Sequence, residues 1–175
     1  MPRPAPNTAL GSWDVSLRTP LLQEKDHWKS GYRLGFNTGL LNLSFESGVI
    51  GSEKAKRYSA VNLGFGLGPL MAAPSKLDLR WFARVDYFSL RWREERSTFY
   101  SAFELGVSRF VTPTLGAFIS LRFDYPALFM LPIAALPTVR DDIRKHDGVA
   151  LFLNIGLAGA KVVTPEQIGQ LDPKQ

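Results

Sequence analysis

Residues 77–87 read Leu77-Asp78-Leu79-Arg80-Trp81-Phe82-Ala83-Arg84-Val85-Asp86-Tyr87. Successive side chains of an extended strand point to opposite faces, so Leu77, Leu79, Trp81, Ala83, Val85 and Tyr87 share one face. Asp78, Arg80, Phe82, Arg84 and Asp86 share the other. Four of those five opposing residues are charged. After Tyr87 the parity flips to Phe88, Leu90 and Trp92, which marks either a β-bulge or the point where the strand leaves its apolar surroundings.

The same alternation recurs on both sides of this stretch. Val61, Leu63, Phe65 and Leu67 oppose Asn62, Gly64, Gly66 and Gly68; Phe99, Phe103, Leu105 and Val107 oppose Tyr100, Ala102, Glu104, Gly106 and Ser108. Leu115, Ala117, Ile119, Leu121 and Phe123 oppose Gly116, Phe118, Ser120, Arg122 and Asp124, and Val149, Leu151, Leu153, Ile155 and Leu157 oppose Ala150, Phe152, Asn154, Gly156 and Ala158. Toward the N-terminus, Trp13, Val15 and Leu17 alternate with Asp14, Ser16 and Arg18, and Pro20 is expected to end that strand. Tyr32, Leu34 and Phe36 alternate with Arg33, Gly35 and Asn37, then Leu41, Leu43 and Phe45 with Asn42, Ser44 and Glu46. The change of phase across Thr38-Gly39-Leu40 is either a bulge in one strand or a tight hairpin, so the count is seven or eight strands. Residues 72–76 and 111–114 read as short turns, whereas residues 19–31 and 126–147 read as long connections.

This pattern predicts an all-β fold, a closed antiparallel up-and-down barrel of about eight strands. The 175 residues suffice for eight membrane-crossing strands of about 9–11 residues with their turns. A mean hydropathy of −0.05 fits a protein whose lipid-facing and lumen-facing residues alternate and cancel. The greasiest stretch, Tyr125 to Val139, is broken by Pro126, Pro132 and Pro137 and is too short for a membrane helix. With no cysteine there is no disulfide framework or thiolate metal site. The net charge of +5 comes from basic residues scattered among acids, which argues against nucleic-acid binding.

The direction of the greasy face separates a membrane barrel from a soluble one. Three features turn it outward. The opposite face is rich in Gly and Ala, as a crowded lumen requires. Its charges, Asp78, Arg80, Arg84, Asp86, Glu104, Arg122 and Asp124, are of both signs on adjacent strands and form an expected lumen charge network. Trp13, Tyr32, Tyr58, Trp92, Tyr100 and Tyr125 lie near strand ends, where interfacial girdles are expected.

From about Trp13 to Val162 the chain resembles, at the level of pattern, the small outer-membrane β-barrels of Gram-negative bacteria. No family-specific motif matches, and the last strand runs on into Val162-Val163-Thr164-Pro165 instead of ending in an aromatic residue. The resemblance implies a barrel domain over residues 11–163, a flexible N-terminal segment over 1–10 and a flexible polar tail over 164–175. It also implies an outer-membrane location; Met1-Pro2-Arg3-Pro4-Ala5-Pro6 holds no apolar core of a signal peptide, which counts against that location unless an export leader has been removed, the alternative being a protein that is never exported. The implied role is structural, adhesive or porin-like passage of a small solute.

No catalytic constellation stands out, and no enzyme activity, cofactor or metal is expected. His27 and His146 each lie in a charged connection with no serine tied to either by sequence, so a lipid-modifying enzyme with His146 at its rim is an alternative reading. Gly64-Phe65-Gly66-Leu67-Gly68 has glycines at period two within a strand, which suits close lumen packing and not a phosphate loop. For eight strands the interior is just wide enough to be filled by side chains. Lys54, Lys56, Arg57, Arg140, Arg144 and Lys145 are candidate contacts to lipopolysaccharide phosphates, and membrane lipid is the expected partner. A further alternative is a soluble lipocalin-like barrel binding an apolar ligand with Phe65, Trp81, Phe103 and Leu121 inside.

Overall fold

A computed structural model describes residues 8–23, 28–50, 56–69, 79–93, 96–112, 114–125 and 148–163. Eight strands follow in chain order: β1 (Thr8–Gln23), β2 (Trp28–Thr38), β3 (Leu41–Ile50), β4 (Lys56–Gly66), β5 (Leu79–Arg93), β6 (Arg96–Phe110), β7 (Leu115–Tyr125) and β8 (Ala150–Val163). Each pairs antiparallel with the next, and β8 closes on β1. The phase change at Thr38-Gly39-Leu40 is a two-residue hairpin in which Thr38 faces Leu41. Gly39 holds a φ of 54°, the left-handed conformation that the first central residue of such turns requires.

Register fixes the barrel's dimensions. A path along the ladder rungs leaves β1 at Ser12 and passes Asn37, Asn42, Gly64, Asp86, Ala102, Asp124 and Ala150. It returns to β1 at Gln23, eleven residues on, and one of these falls in the register shift between Pro20 and Leu22, leaving a shear of ten. With a rise of about 3.3 Å and a strand spacing of about 4.8 Å, that shear tilts the strands by about 40° and sets a backbone radius of about 8 Å. Such an interior is filled by side chains.

The hydrophobic arrangement is inverted relative to a soluble barrel. Trp81 is 61% exposed, Phe65 54%, Leu121 47% and Phe103 45%, whereas Arg18, Arg33, Arg122 and Asp124 are 0% exposed. The four residues expected to line an apolar pocket in a soluble barrel are thus on the outside. Exposed Trp, Phe, Leu, Ile and Val side chains recur on every strand, and charged side chains occupy the core. That exterior is stable only against lipid.

The strand boundaries differ from expectation in four places, the first being that β1 already begins at Thr8, within the segment expected to be flexible. β1 runs through Pro20, because beyond Arg18 its register is with β8 and the shift at Pro20 spares the ladder a missing N–H. The connection expected over residues 19–31 therefore shrinks to residues 24–27. β4 ends at Gly66, so Gly68 lies beyond the strand.

The parity flip after Tyr87 is a bulge. Leu63 pairs with Phe88 but Gly64 with Asp86, and on the other side the register jumps from Asp86 to Ser89. Ser101 donates its hydroxyl to the carbonyl of Tyr87 at 3.1 Å, giving the bulged backbone a partner. The extra residue turns Ser89 and Arg91 inward and Trp92 outward. Trp81 and Trp92 then both face out on β5, eleven positions apart with one taken up by the bulge. At about 3.3 Å per residue and about 40° of tilt they stand about 25 Å apart along the axis, the height of an outer-membrane apolar band.

Candidate functional site: the charged lumen

Five arginines and five carboxylates converge inside the barrel: Arg18, Arg33, Arg84, Arg91 and Arg122 with Asp14, Glu46, Asp86, Glu104 and Asp124, all buried. The two sets balance in charge. Asp14 on β1 accepts from Arg33 Nη1 at 3.0 Å, from Asn37 Nδ2 at 3.0 Å and from Arg84 Nη1 at 2.9 Å. Glu104 on β6 accepts from Arg84 Nε at 2.6 Å, from Asn154 Nδ2 at 3.1 Å and from the Ser120 hydroxyl. Glu46 on β3 accepts from Arg18 and from Asn62 Nδ2 at 2.9 Å, with Arg122 Nη2 3.4 Å away. Asp124 on β7 joins Arg18, Arg91 and Arg122, the last through Nε at 2.8 Å. Asp86 pairs with Arg122, and with its amide turned to the orientation that satisfies both ends, Asn42 donates to Asp86 Oδ1 at 2.7 Å and accepts from the Phe65 N–H at 3.2 Å.

These bonds link into one network running from Asp14 through Arg84, Glu104, Arg122 and Glu46 to Arg18, Asp124 and Arg91. Most of its members sit on β1, β3, β5 and β7, so the contacts run across the lumen as well as between neighbouring strands. An isolated ion in such an interior costs several kcal/mol, roughly, and the network offsets that by giving each ion an opposite charge, with Arg18 Nε, Arg33 Nη2 and Arg122 Nη2 left without a hydrogen-bond partner among the described residues.

Described side chains occupy both ends of the lumen. Toward the rim opposite the termini, Tyr58, Tyr100, Phe152 and Ala150 form a buried apolar cluster. Arg18 stacks over the Phe152 ring at 3.6 Å and Arg91 over the Tyr100 ring at 4.1 Å, so this lid is tied to the charges beneath it. Toward the rim that carries the termini, Phe82 and Phe118 meet edge to face at 5.8 Å. Below them the chain leaving β4 tucks into the mouth, with Gly68 and Pro69 buried. A Cβ on Gly68 would lie 2.7 Å from Asn37 Cγ and 2.9 Å from Ser12 Oγ, and the Pro69 carbonyl accepts from Ser108 on the far wall.

The expected lumen set is brought together in part. Arg84, Asp86, Glu104, Arg122 and Asp124 are in the network. Arg80 sits half-buried two residues nearer the mouth than Phe82, and Asp78 lies outside the described residues. Asp14, Arg18, Arg33, Glu46 and Arg91 were not in the expected set, although the first four occupy the polar phase of their strands. Arg91 is hidden by the bulge, beyond which even positions no longer face inward. Among the aromatic residues expected at the interfaces, Trp13, Tyr32, Trp92 and Tyr125 are exposed, but Tyr58 and Tyr100 are lumenal. Both lie in the inward phase of their strands, with Ala60 and Asn62 and with Ala102 and Glu104.

Lys56 and Arg57 open β4 at the rim opposite the termini, Arg57 exposed and Lys56 less so. Lys54, Arg140, Arg144 and Lys145, like His27 and His146, lie outside the described residues. Among the described residues no group of three or more acidic or histidine side chains is placed to hold a metal ion.

No family model and no curated relative matches the chain. Its fold is similar to solved outer-membrane barrels. Neisserial surface protein A aligns with a TM-score of 0.51 at 10% identity, over 86% of this chain and 97% of that one. The outer membrane protein OprG from Pseudomonas aeruginosa aligns with a TM-score of 0.51 at 7% identity, over 90% and 99%. At these identities what is shared is the architecture: a small, closed, eight-stranded antiparallel barrel.

Proposed function

We propose that this chain is a Gram-negative outer-membrane β-barrel with a structural or adhesive role, in which the lumen is a packed ionic core and not a solute path. The observation that carries this reading is the buried network of five arginines and five carboxylates capped by Tyr58, Tyr100 and Phe152 at one end and by Phe82, Phe118 and the Gly68–Pro69 segment at the other. Passage of a solute would require breaking several of these ion pairs at once. The role is non-catalytic, and an export leader on the precursor belongs to the same reading. Lys56 and Arg57 would meet lipopolysaccharide phosphates at the outer rim, joined by Lys54, Arg140, Arg144 and Lys145.

The test is electrical. Purified protein reconstituted into a planar bilayer is expected to give no stepwise conductance, while detergent-solubilised samples migrate differently before and after boiling. Regular single-channel openings from the folded species would overturn the closed-lumen reading.

A further inference from the structure

Among the described residues the outer wall carries a polar notch near the rim opposite the termini. A single rung of the ladder joins Tyr32, Ser47, Ser59 and Trp92 on β2, β3, β4 and β5. All four side chains lie on the lipid-facing side, Tyr32 at 58% and Trp92 at 39% exposure, with the two serines partly exposed between them. Neither serine hydroxyl is hydrogen-bonded to a described residue. Small side chains between two large aromatic ones leave a recess in the wall, and hydroxyls facing a membrane gain from a ligand that can bond them.

Two cations stand above this recess. Arg57 is exposed two residues from Ser59 on the same face of β4, and its partner on β3 is Val49. On β2 the register shifts between Trp28 and Gly31, leaving both Lys29 and Ser30 exposed at that strand end. At about 3.3 Å per residue and about 40° of tilt, Arg57 stands about 5 Å nearer the rim than the serines. Trp92 marks the upper edge of the apolar band, so the cations lie at headgroup depth and the hydroxyls at the depth of a lipid's ester groups.

We propose that Lys29, Ser47, Ser59 and Arg57, walled by Tyr32 and Trp92, form a binding site for an anionic, phosphate-bearing membrane lipid. The guanidinium and ammonium meet the phosphate, the serine hydroxyls donate to ester or amide carbonyls, and the two rings flank the upper acyl chain. The site rests on the membrane-barrel reading and adds to it a selective lipid contact on the outside of the wall. Charge complementarity fixes the occupant as an anionic lipid, because zwitterionic or uncharged lipids leave one or both cations unpaired.

Native mass spectrometry of the detergent-solubilised barrel tests this with phosphatidylglycerol, phosphatidylcholine and diacylglycerol as probes. The wild type is expected to retain about tenfold more phosphatidylglycerol than diacylglycerol, with phosphatidylcholine between them. Lys29→Gln with Arg57→Gln should remove about that tenfold preference, and Ser47→Val with Ser59→Val should weaken retention about threefold. Arg109→Gln, an exposed position near the opposite rim, should change nothing. Equal retention of the three lipids by a heat-modifiable, detergent-requiring protein overturns the site alone, as does an equal loss with Arg109→Gln. A wild-type protein that is monodisperse without detergent overturns the membrane reading and the site together.

Discussion

Arg84 on β5 donates through Nη1 to Oδ2 of Asp14 on β1 at 2.9 Å, straight across the lumen and 70 residues away in sequence, while its Nε donates to Glu104 on the adjacent strand at 2.6 Å. One side chain thus ties opposite walls and neighbouring walls together. Arg84→Met leaves both carboxylates short of a partner, and the expected cost is about 3–5 kcal/mol in urea titration of the folded barrel in lipid. Adding Asp14→Asn should cost less than the sum of the two single changes, since the orphaned charge is then gone. Additive losses would show that the two residues act independently.

The β5 bulge sets which side chains the upper half of that strand turns inward. Deleting Tyr87 removes the extra residue and leaves strict alternation from Asp86 onward, so Ser89 and Arg91 still point inward and Trp92 outward, while the Ser101 hydroxyl loses the carbonyl it bonds. The variant should keep the heat-modifiable folded form on a denaturing gel, as Tyr87→Phe should, and loss of that form on deletion alone would show that the bulge itself is needed.

Glycines make room for the network. A Cβ on Gly35 would lie 2.5 Å from Asp14 Oδ2, and one on Gly48 would lie 2.6 Å from Cε1 of the Tyr58 ring. Gly35→Ala must displace the carboxylate that Arg33 and Arg84 share, and about 1–3 kcal/mol of folding stability should be lost in the same titration. Gly39 has nothing within 4 Å of such a Cβ, so Gly39→Ala should cost about 1 kcal/mol through its φ of 54° alone.

The outward face is tested at its middle. Leu121→Arg places a cation against acyl chains beside the inward Arg122, and the expected penalty is about 2–4 kcal/mol in lipid. Leu121→Phe should be nearly neutral. A soluble barrel with Leu121 inside would be disturbed by both changes.

Period-two alternation in residues 61–67, 77–87, 99–107, 115–123 and 149–157 made strand identity and facing legible, because each residue's side follows from local parity alone. Strand ends were less so. Pro20 stops a strand only where its missing N–H would be needed, and β1 past Arg18 has no β2 register to satisfy. The hairpin at Gly39 and the bulge at Tyr87 each left two readings open, and cross-strand register decides between them. The network was half legible. Arg84, Glu104 and Arg122 stand opposite one another on adjacent strands, but Asp124 faces Ala102 and Ala150 and finds Arg18 and Arg91 on other strands, and Asp14 finds Arg84 across the lumen, relationships set by shear and closure and by nothing local to the segments. Tyr58 and Tyr100 were assigned to the interface from their position along the strand, although their parity put them inside.

The central claim, a barrel with its apolar face in lipid and its charges sealed within, is tested most directly by spin labels placed one at a time along residues 117–121 of β7. The chain has no cysteine, so each introduced cysteine is the sole labelling site. In reconstituted vesicles, labels at Ala117, Ile119 and Leu121 should collide with oxygen dissolved in the bilayer, while labels at Phe118 and Ser120 should be shielded from oxygen and from a water-soluble nickel complex alike. Oxygen access at the even positions, or nickel access at the odd ones, would contradict the account.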